Sequence, residues 1–277
     1  MKLLPSTIII NRLEIEPISG IISTELHTHQ RRGSFVSCGE GSGIEAVPGD
    51  IIHYHDSSAP YLEDDNIQFL HQNDILAIEH KDGSLSVPSG MVLVTTEGSR
   101  FNDTMKHGTL ELIVPTNEPN WTHASKTKLT VSGVSEDTSK ELSVGDTVFV
   151  NYGVVLNDRH KVTINGIDHW EAYCVGAGAD VYAVERDGKI QTVFGWCLVE
   201  PKTITIAKSD ILEIPDITKM SETFGKVRYI GENDMNPKIE TGMDVVFHNH
   251  DAFLNDFNGE NLYTMKVERI NMIIDEV

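Results

Sequence analysis

The chain has 277 residues, of which 39% are hydrophobic and 23% charged, an ordinary composition for a folded protein. Its 42 acidic residues outweigh 22 basic ones, for a formal charge of −20. That balance repels phosphate backbones and anionic bilayers, so neither nucleic acid nor a membrane is an expected partner. The opening residues lead through Ile8-Ile9-Ile10 into Asn11-Arg12, an apolar run too short for a signal peptide or a transmembrane span. Cys38, Cys174 and Cys197 are odd in number and lack CxxC spacing, so neither a disulfide framework nor a zinc ribbon is expected. A reducing, cytoplasmic location is the simplest expectation.

In chain order, short apolar runs alternate with turn residues. The first are Thr7-Ile8-Ile9-Ile10, Gly33-Ser34-Phe35-Val36-Ser37-Cys38, Asp50-Ile51-Ile52-His53 and Met91-Val92-Leu93-Val94. Later ones include Lys128-Leu129-Thr130-Val131 and Thr147-Val148-Phe149-Val150, and the pairs Asn165-Gly166 and Asp187-Gly188 predict tight hairpins. No stretch holds a helical period for three turns, while β-branched residues recur at short spacing. The chain reads as all-β.

The pattern also returns along the chain. Gly33–Gly39 and Gly225–Gly231 share one Gly-to-Gly spacing, and each precedes a Gly followed by Asp and two apolar residues: Gly49-Asp50-Ile51-Ile52 and Gly242-Met243-Asp244-Val245-Val246. Asn66–Ile78 then aligns without gaps on Asn261–Ile273. An expanded copy lies between them, centred on Gly145-Asp146-Thr147-Val148, with Phe194–Val199 as its expected closing strand. Three domains are expected, at residues 1–80, 81–201 and 202–277.

Taken in order, Ile8–Arg12, Ser19-Gly20-Ile21-Ile22-Ser23, Arg32–Val36, Gly39-Glu40-Gly41, Pro48–Ile52 and Asp74-Ile75-Leu76-Ala77-Ile78 resemble GroES-type co-chaperonins, closest over residues 5–79. The resemblance implies three tandem GroES-like irregular β-barrels, the middle one expanded, in subunits that cap a chaperonin chamber as a ring. It implies that Gly20, Ile21, Ile22 and Ser23 are the docking element of a mobile loop running to about Arg31. It also implies roof-like turns at Glu63, Asp64 and Asp65 and at Asp256, Asn258 and Gly259. Burying two isoleucines gives ~1.5–3 kcal/mol each. Ordering the loop offsets part of that, so a ring of loops binds through avidity. From the residues alone, Ile21 and Ile22 serve equally well as the core of a strand.

The third copy has only Asp216–Thr223 in place of a mobile loop, and chains of three barrels cannot tile a seven-membered ring. The expected function is that of a non-enzymatic, co-chaperonin-like homo-oligomer acting through protein–protein contacts, with a chaperonin ring or other assembly proteins as partners. The alternative is a structural component of a bacteriophage virion or tail that uses the barrels as packing modules.

Other chemistry finds less support. The pairs His27/His29, His53/His55 and His248/His250 would each share one face of a strand and could offer metal ligands, with Cys38 or Asp56 nearby. No further ligand follows at standard spacing, so no metal or cofactor is expected. Cys174–Asp180 resembles a dinucleotide fingerprint, but the third Gly is missing and Val181–Gly188 reads as strand and turn, where a helix must receive the pyrophosphate. No nucleophile elbow, HExxH or Walker loop occurs, and no enzyme is expected.

Overall fold

A computed structural model describes residues 4–13, 32–54, 66–95, 104–107, 110–113, 128–151, 153–154, 161–162, 172–207, 217–235 and 237–274. The described residues form antiparallel β-structure throughout, with short 3₁₀ turns and one four-residue α-helix, Ala177–Asp180. No helix among them is long and apolar enough to cross a membrane. Contacts divide the chain into two compact units. Unit 1 comprises Met1–Asn120, Leu129–Asp146 and Asn151–Asp180, and unit 2 comprises Trp121–Lys128, Thr147–Val150 and Val181–Val277.

In unit 1, β1 (Thr7–Arg12), β2 (Arg32–Cys38), β3 (Ile51–Tyr54), β4 (Ile67–His71), β5 (Ile75–Glu79) and β6 (Leu85–Ser86) form a sheet in the order β4-β1-β2-β3-β5-β6. The same unit holds β7 (Met91–Thr95), the hairpin β8 (Thr104–His107) and β9 (Leu110–Ile113), and β10 (Lys128–Val134) apart from its first residue, which belongs to unit 2. Unit 2 contains β11 (Thr147–Val150), while β12 (Lys161–Val162) and β13 (Ala172–Gly176) return to unit 1. Then, all in unit 2, come β14 (Val181–Arg186), β15 (Lys189–Thr192), β16 (Trp196–Ala207), β17 (Ile217–Ile230), β18 (Asp244–Phe247), β19 (Phe253–Phe257), β20 (Glu260–Lys266) and β21 (Ile270–Ile274). Their larger sheet runs β19-β20-β16-β17-β18-β21.

The two six-stranded sheets share one topology, with an extra edge strand at opposite ends. In each, the fourth and fifth strands of the motif sit at opposite ends of a five-strand ladder, although a 3₁₀ turn of three residues joins them, Gln72–Asp74 or Val267–Arg269. Four strand spacings across a flat sheet measure ~19 Å. Four residue steps reach at most ~14 Å. Each sheet must therefore curl strongly, yet its ladder remains open and not hydrogen-bonded into a ring.

Register shows that the middle segment repeats the same plan. β3 pairs with β5 as Ile51↔Glu79, Ile52↔Ile78, His53↔Ala77 and Tyr54↔Ile75, with a bulge before Tyr54. β11 and β14 reproduce this as Thr147↔Glu185 through Val150↔Val181, and β18 and β21 as Asp244↔Ile274 through Phe247↔Ile270, with the bulge in the same place. The first two strands agree as well: Ile10↔Phe35, Val94↔Val131 and Val199↔Val227 each lie beside a bulge.

The turn before the third strand is the most faithful element. Gly49, Gly145 and Gly242 have φ of 97°, 94° and 93°, the left-handed region where glycine carries no steric cost. Each donates its N–H across the sheet, to Phe35, Val131 and Val227 respectively, and the next residue accepts from the same partner. Asp50 and Asp146 then cap the turn, accepting from Val47 N at 3.0 Å and Ser143 N at 2.8 Å, and Met243 Sδ occupies that position opposite Glu240 N. This corrects the sequence alignment by one residue. Asp50 corresponds to Met243, and Asp244 to Ile51, because the positive-φ glycine fixes the register and the aspartate does not.

Two further expectations change. Phe194–Val199 does not close the middle segment: Val181–Arg186 does, and Trp196 begins β16, so the expected boundary after residue 201 falls inside that strand. Ile217–Thr223 is the first half of a 14-residue strand pairing with the end of β16, not a loop. Asp187-Gly188 does form the tight hairpin expected, with both residues at positive φ.

The apolar triplets that open each segment explain the packing. Ile8 and Ile10 enter the first core with Phe35, Ile52, Tyr54, Leu70 and Ile75, while Cys197 and Val199 enter the third with Val227, Val245, Phe247 and Met265. The central residue of each triplet, Ile9, Leu93 or Leu198, points to the opposite face and is also buried. Burial on both faces requires a continuous apolar run in place of alternation.

Candidate functional site

The outer faces of the curled sheets form the contacts between successive segments. Leu76 and Ala77 on β5 pack with Leu93, Val162, Ala172 and Cys174 of the middle segment in one buried cluster. The middle segment then repeats the arrangement: Phe149, Tyr182 and Ala183 pack against Trp196, Leu198, Phe257 and Leu262 of the third. Phe149 and Phe257 rings lie 5.0 Å apart, and Tyr182 meets Trp196 edge-on at 4.6 Å. In register terms, the back of one segment contacts the front of the next, twice.

A charged rim accompanies both contacts. Lys128, at the start of the second strand, bonds Glu185, at the end of the fifth, at 2.6 Å. Lys128 Nζ also donates to Asn258 Oδ1 (3.2 Å), and Asn258 Nδ2 donates to Glu185 (3.4 Å). The Lys128 ammonium, against an opposing cost of burial, holds the Glu185 carboxyl below its usual range, with Asn258 assisting. At the equivalent positions of the first segment stand Arg32 and Glu79, with His53 Nε2 3.5 Å from Glu79 Oε2. His53 lowers the Glu79 carboxyl, burial opposes it, and Arg32 adds to the lowering.

The third segment departs from this pattern on its own back face. Where the others carry Arg32 and Lys128 it has Phe224, and where they carry Glu79 and Glu185 it has Ile274. Met272 stands in the place of Ala77 and Ala183. Ala77 and Ala183 are fully buried, but Met272 is 60% exposed and Ile274 40%. Asn271, in the place of Leu76 and Tyr182, is the polar member of the strip. Lys202 lies over the Phe224 ring at 4.7 Å and pairs with Asp244 beside it. The front face of the first segment carries buried Ile9 and half-buried Ile67 and Phe69, in register with Leu93, Ala172 and Cys174.

The residues expected from sequence distribute unevenly. Gly20, Ile21, Ile22 and Ser23, the turn Glu63-Asp64-Asp65, and His27, His29, His55 and Asp56 lie outside the described residues. Asp256, Asn258 and Gly259 form the β19–β20 turn, with Asp256 Oδ1 accepting from Gly259 N at 2.7 Å and Asn258 at φ 56°. Asn258 also belongs to the rim between the middle and third segments, which its turn chemistry alone does not disclose. His53 is buried on β3, whereas His248 sits at the start of a 3₁₀ turn that contains His250, and the two rings stack at 5.1 Å, so that pair is not on a strand. The described residues contain no group of three or more His, Cys, Asp or Glu arranged to hold a metal.

All three cysteines are unbridged. Burial pushes the Cys197 thiol up to about 12 and raises Cys174 as well, so both are inert packing residues. Sequence comparison missed Phe224, Met272 and Ile274. The signal was present in the gap-free alignment, which sets Met272 opposite Ala77 and, one step further, Ile274 opposite Glu79. Compared with known proteins, the chain matches no family model and no curated sequence.

Proposed function

We propose that this protein is a GroES-like assembly subunit whose chains join head to tail. The back strip of the third segment (Phe224, Met272, Ile274) receives the front face of the first segment (Ile9, Ile67, Phe69) of another chain. The observation that carries this reading is the replacement of a charged rim and a buried alanine by half-buried Phe224 and exposed Met272 and Ile274 on the back face of the third segment. A heterologous contact of this kind closes into a ring or propagates as a filament.

Within such an assembly, the stretch between the first and second strands of each segment supplies the partner-binding element, with Gly20–Ser23 of the first segment docking on a chaperonin. That placement is supported by the common position of residues 13–31, 96–127 and 208–216 between paired first and second strands. Native mass measurement across a concentration series tests the assembly, and co-migration with a chaperonin ring in the presence of nucleotide tests the partner. A protein that stays monomeric at high micromolar concentration sinks the head-to-tail reading. Assembly without chaperonin binding favours a virion or tail packing module instead.

A further inference from the structure

The first segment carries a polar relay that the turn it extends does not need. Asp50 is fully buried, and besides Val47 N it accepts from Lys81 N at 3.3 Å. His80 Nδ1 lies 2.8 Å from Asp50 Oδ2, and His80 Nε2 lies 3.0 Å from Ser86 Oγ. The middle segment makes the same aspartate-capped turn with Arg186 at the position of His80, and the third makes it with methionine. Turn formation therefore does not explain the histidine or the serine.

The order of the contacts sets the chemistry. A carboxylate accepts only, so Nδ1 carries the proton of neutral His80, and Nε2 keeps a lone pair for the Ser86 hydroxyl. This is the Asp-His-Ser arrangement, which is recognised by geometry and not by sequence order. Ser86 also lines a cleft of about 450 Å³, together with Ile44, Ile78, Leu85, Val87 and Pro88 on its apolar side. Lys140 is the only cation among the lining residues, against Glu45, Glu136 and Asp137, so the cleft disfavours anionic ligands.

We propose that Ser86, His80 and Asp50 form a hydrolytic site for small neutral or cationic carboxylic esters. Ser86 Oγ attacks the ester carbonyl carbon while His80 Nε2 takes the hydroxyl proton. Collapse of the tetrahedral adduct breaks the bond to the alcohol oxygen, which leaves with the proton from His80, and the acyl group stays on Ser86. Water then attacks the acyl carbon, gives its proton to His80, and releases the carboxylic acid as the proton returns to Ser86. Ester and water become acid and alcohol, and Asp50 holds the imidazole in its tautomer throughout.

The test uses the full chain and an uncharged fluorophosphonate, with the adduct read by intact mass and mapped by peptide mass spectrometry. One phosphonyl group on Ser86 is expected in the unaltered protein, none on that peptide in Ser86→Ala, and labelling at least about 100-fold slower in His80→Gln. Hydrolysis of p-nitrophenyl acetate should fall in parallel, with circular dichroism reporting that both variants fold. Absence of an adduct on Ser86, or labelling at an unchanged rate in folded His80→Gln, overturns the assignment. Should His80→Gln not fold, Asp50→Asn serves as the second variant, and an unchanged labelling rate there has the same consequence.

Discussion

The back faces of the middle and third segments share backbone, register and bulge, yet they meet different surroundings. On the middle segment Phe149, Tyr182 and Ala183 are covered by Trp196, Leu198, Phe257 and Leu262, and Lys128 and Glu185 guard the edge. On the third the corresponding row is Val246, Asn271 and Met272, with Phe224 and Ile274 at the edge. The curled sheet thus dictates where a contact can form, and a few side chains decide whether that face is covered within the chain or left exposed. A charged rim suits a contact whose partner is covalently tethered, because alignment is already enforced.

The comparison breaks most visibly if one side is emptied. Leu198→Ala removes a side chain central to the covered contact and should cost about 2–5 kcal/mol, read by denaturant unfolding. Met272→Ala, in the exposed row, should stay within about 0.5 kcal/mol for the monomer. Equal losses would mean that the two faces are not in different states.

A charge should separate stability from assembly. Met272→Glu and Ile274→Glu together are expected to leave the monomer melting temperature nearly unchanged while abolishing higher-mass species in native mass measurement. Ala183→Glu, the same change on the covered face, should unfold unit 2, since an unpaired buried carboxylate is tolerated only at large cost.

The turns allow a finer comparison. Asp146→Ala deletes a carboxylate capping a backbone N–H and should cost about 1 kcal/mol, Asp50→Ala also strips Lys81 N and His80 of their acceptor and should cost about 1–3 kcal/mol, and Met243→Ala loses only a weak sulfur acceptor and should cost least.

The smallest effect expected is on acid stability. Asp137 accepts from Ser135 Oγ and Gly90 N, which outweigh its burial, and Ser89 adds a third bond. Its carboxyl is thereby lowered from 3.8 to about 2. A folded-state value below the unfolded one means stability that is complete above pH 4 and lost as pH falls toward 2. Asp137→Asn should flatten the unfolding curve over that window, and an unaltered slope would show that other carboxylates dominate it.

Much of the strand pattern was legible from single residues. Glycines at 49, 145 and 242 marked the turns because only glycine enters the left-handed region without strain, and the apolar runs at Ile8 and Val92 marked strands, whereas Cys197 was expected in the strand closing the middle segment and instead helps to open the third. The alignment slipped at Asp244 because Gly-Asp and Gly-Met-Asp look alike as strings, while only cross-strand hydrogen bonds reveal which residue sits at the cap. Asp50, His80 and Ser86 were invisible as a group because 30 positions separate the first two, and pairing of β5 with β6 brings the serine back beneath the histidine.

What the chain determines by itself is local: where strands run, where they turn, and that one plan recurs three times. Those features depend on backbone sterics and on the period of apolar residues, which neighbouring positions carry. Which face of each strand is covered, which rim is charged and which left apolar, and which polar side chains converge are decided by tertiary structure. Burial and pairing between residues far apart in the chain depend on register, and register emerges only when every strand of the curled sheet has found its neighbours.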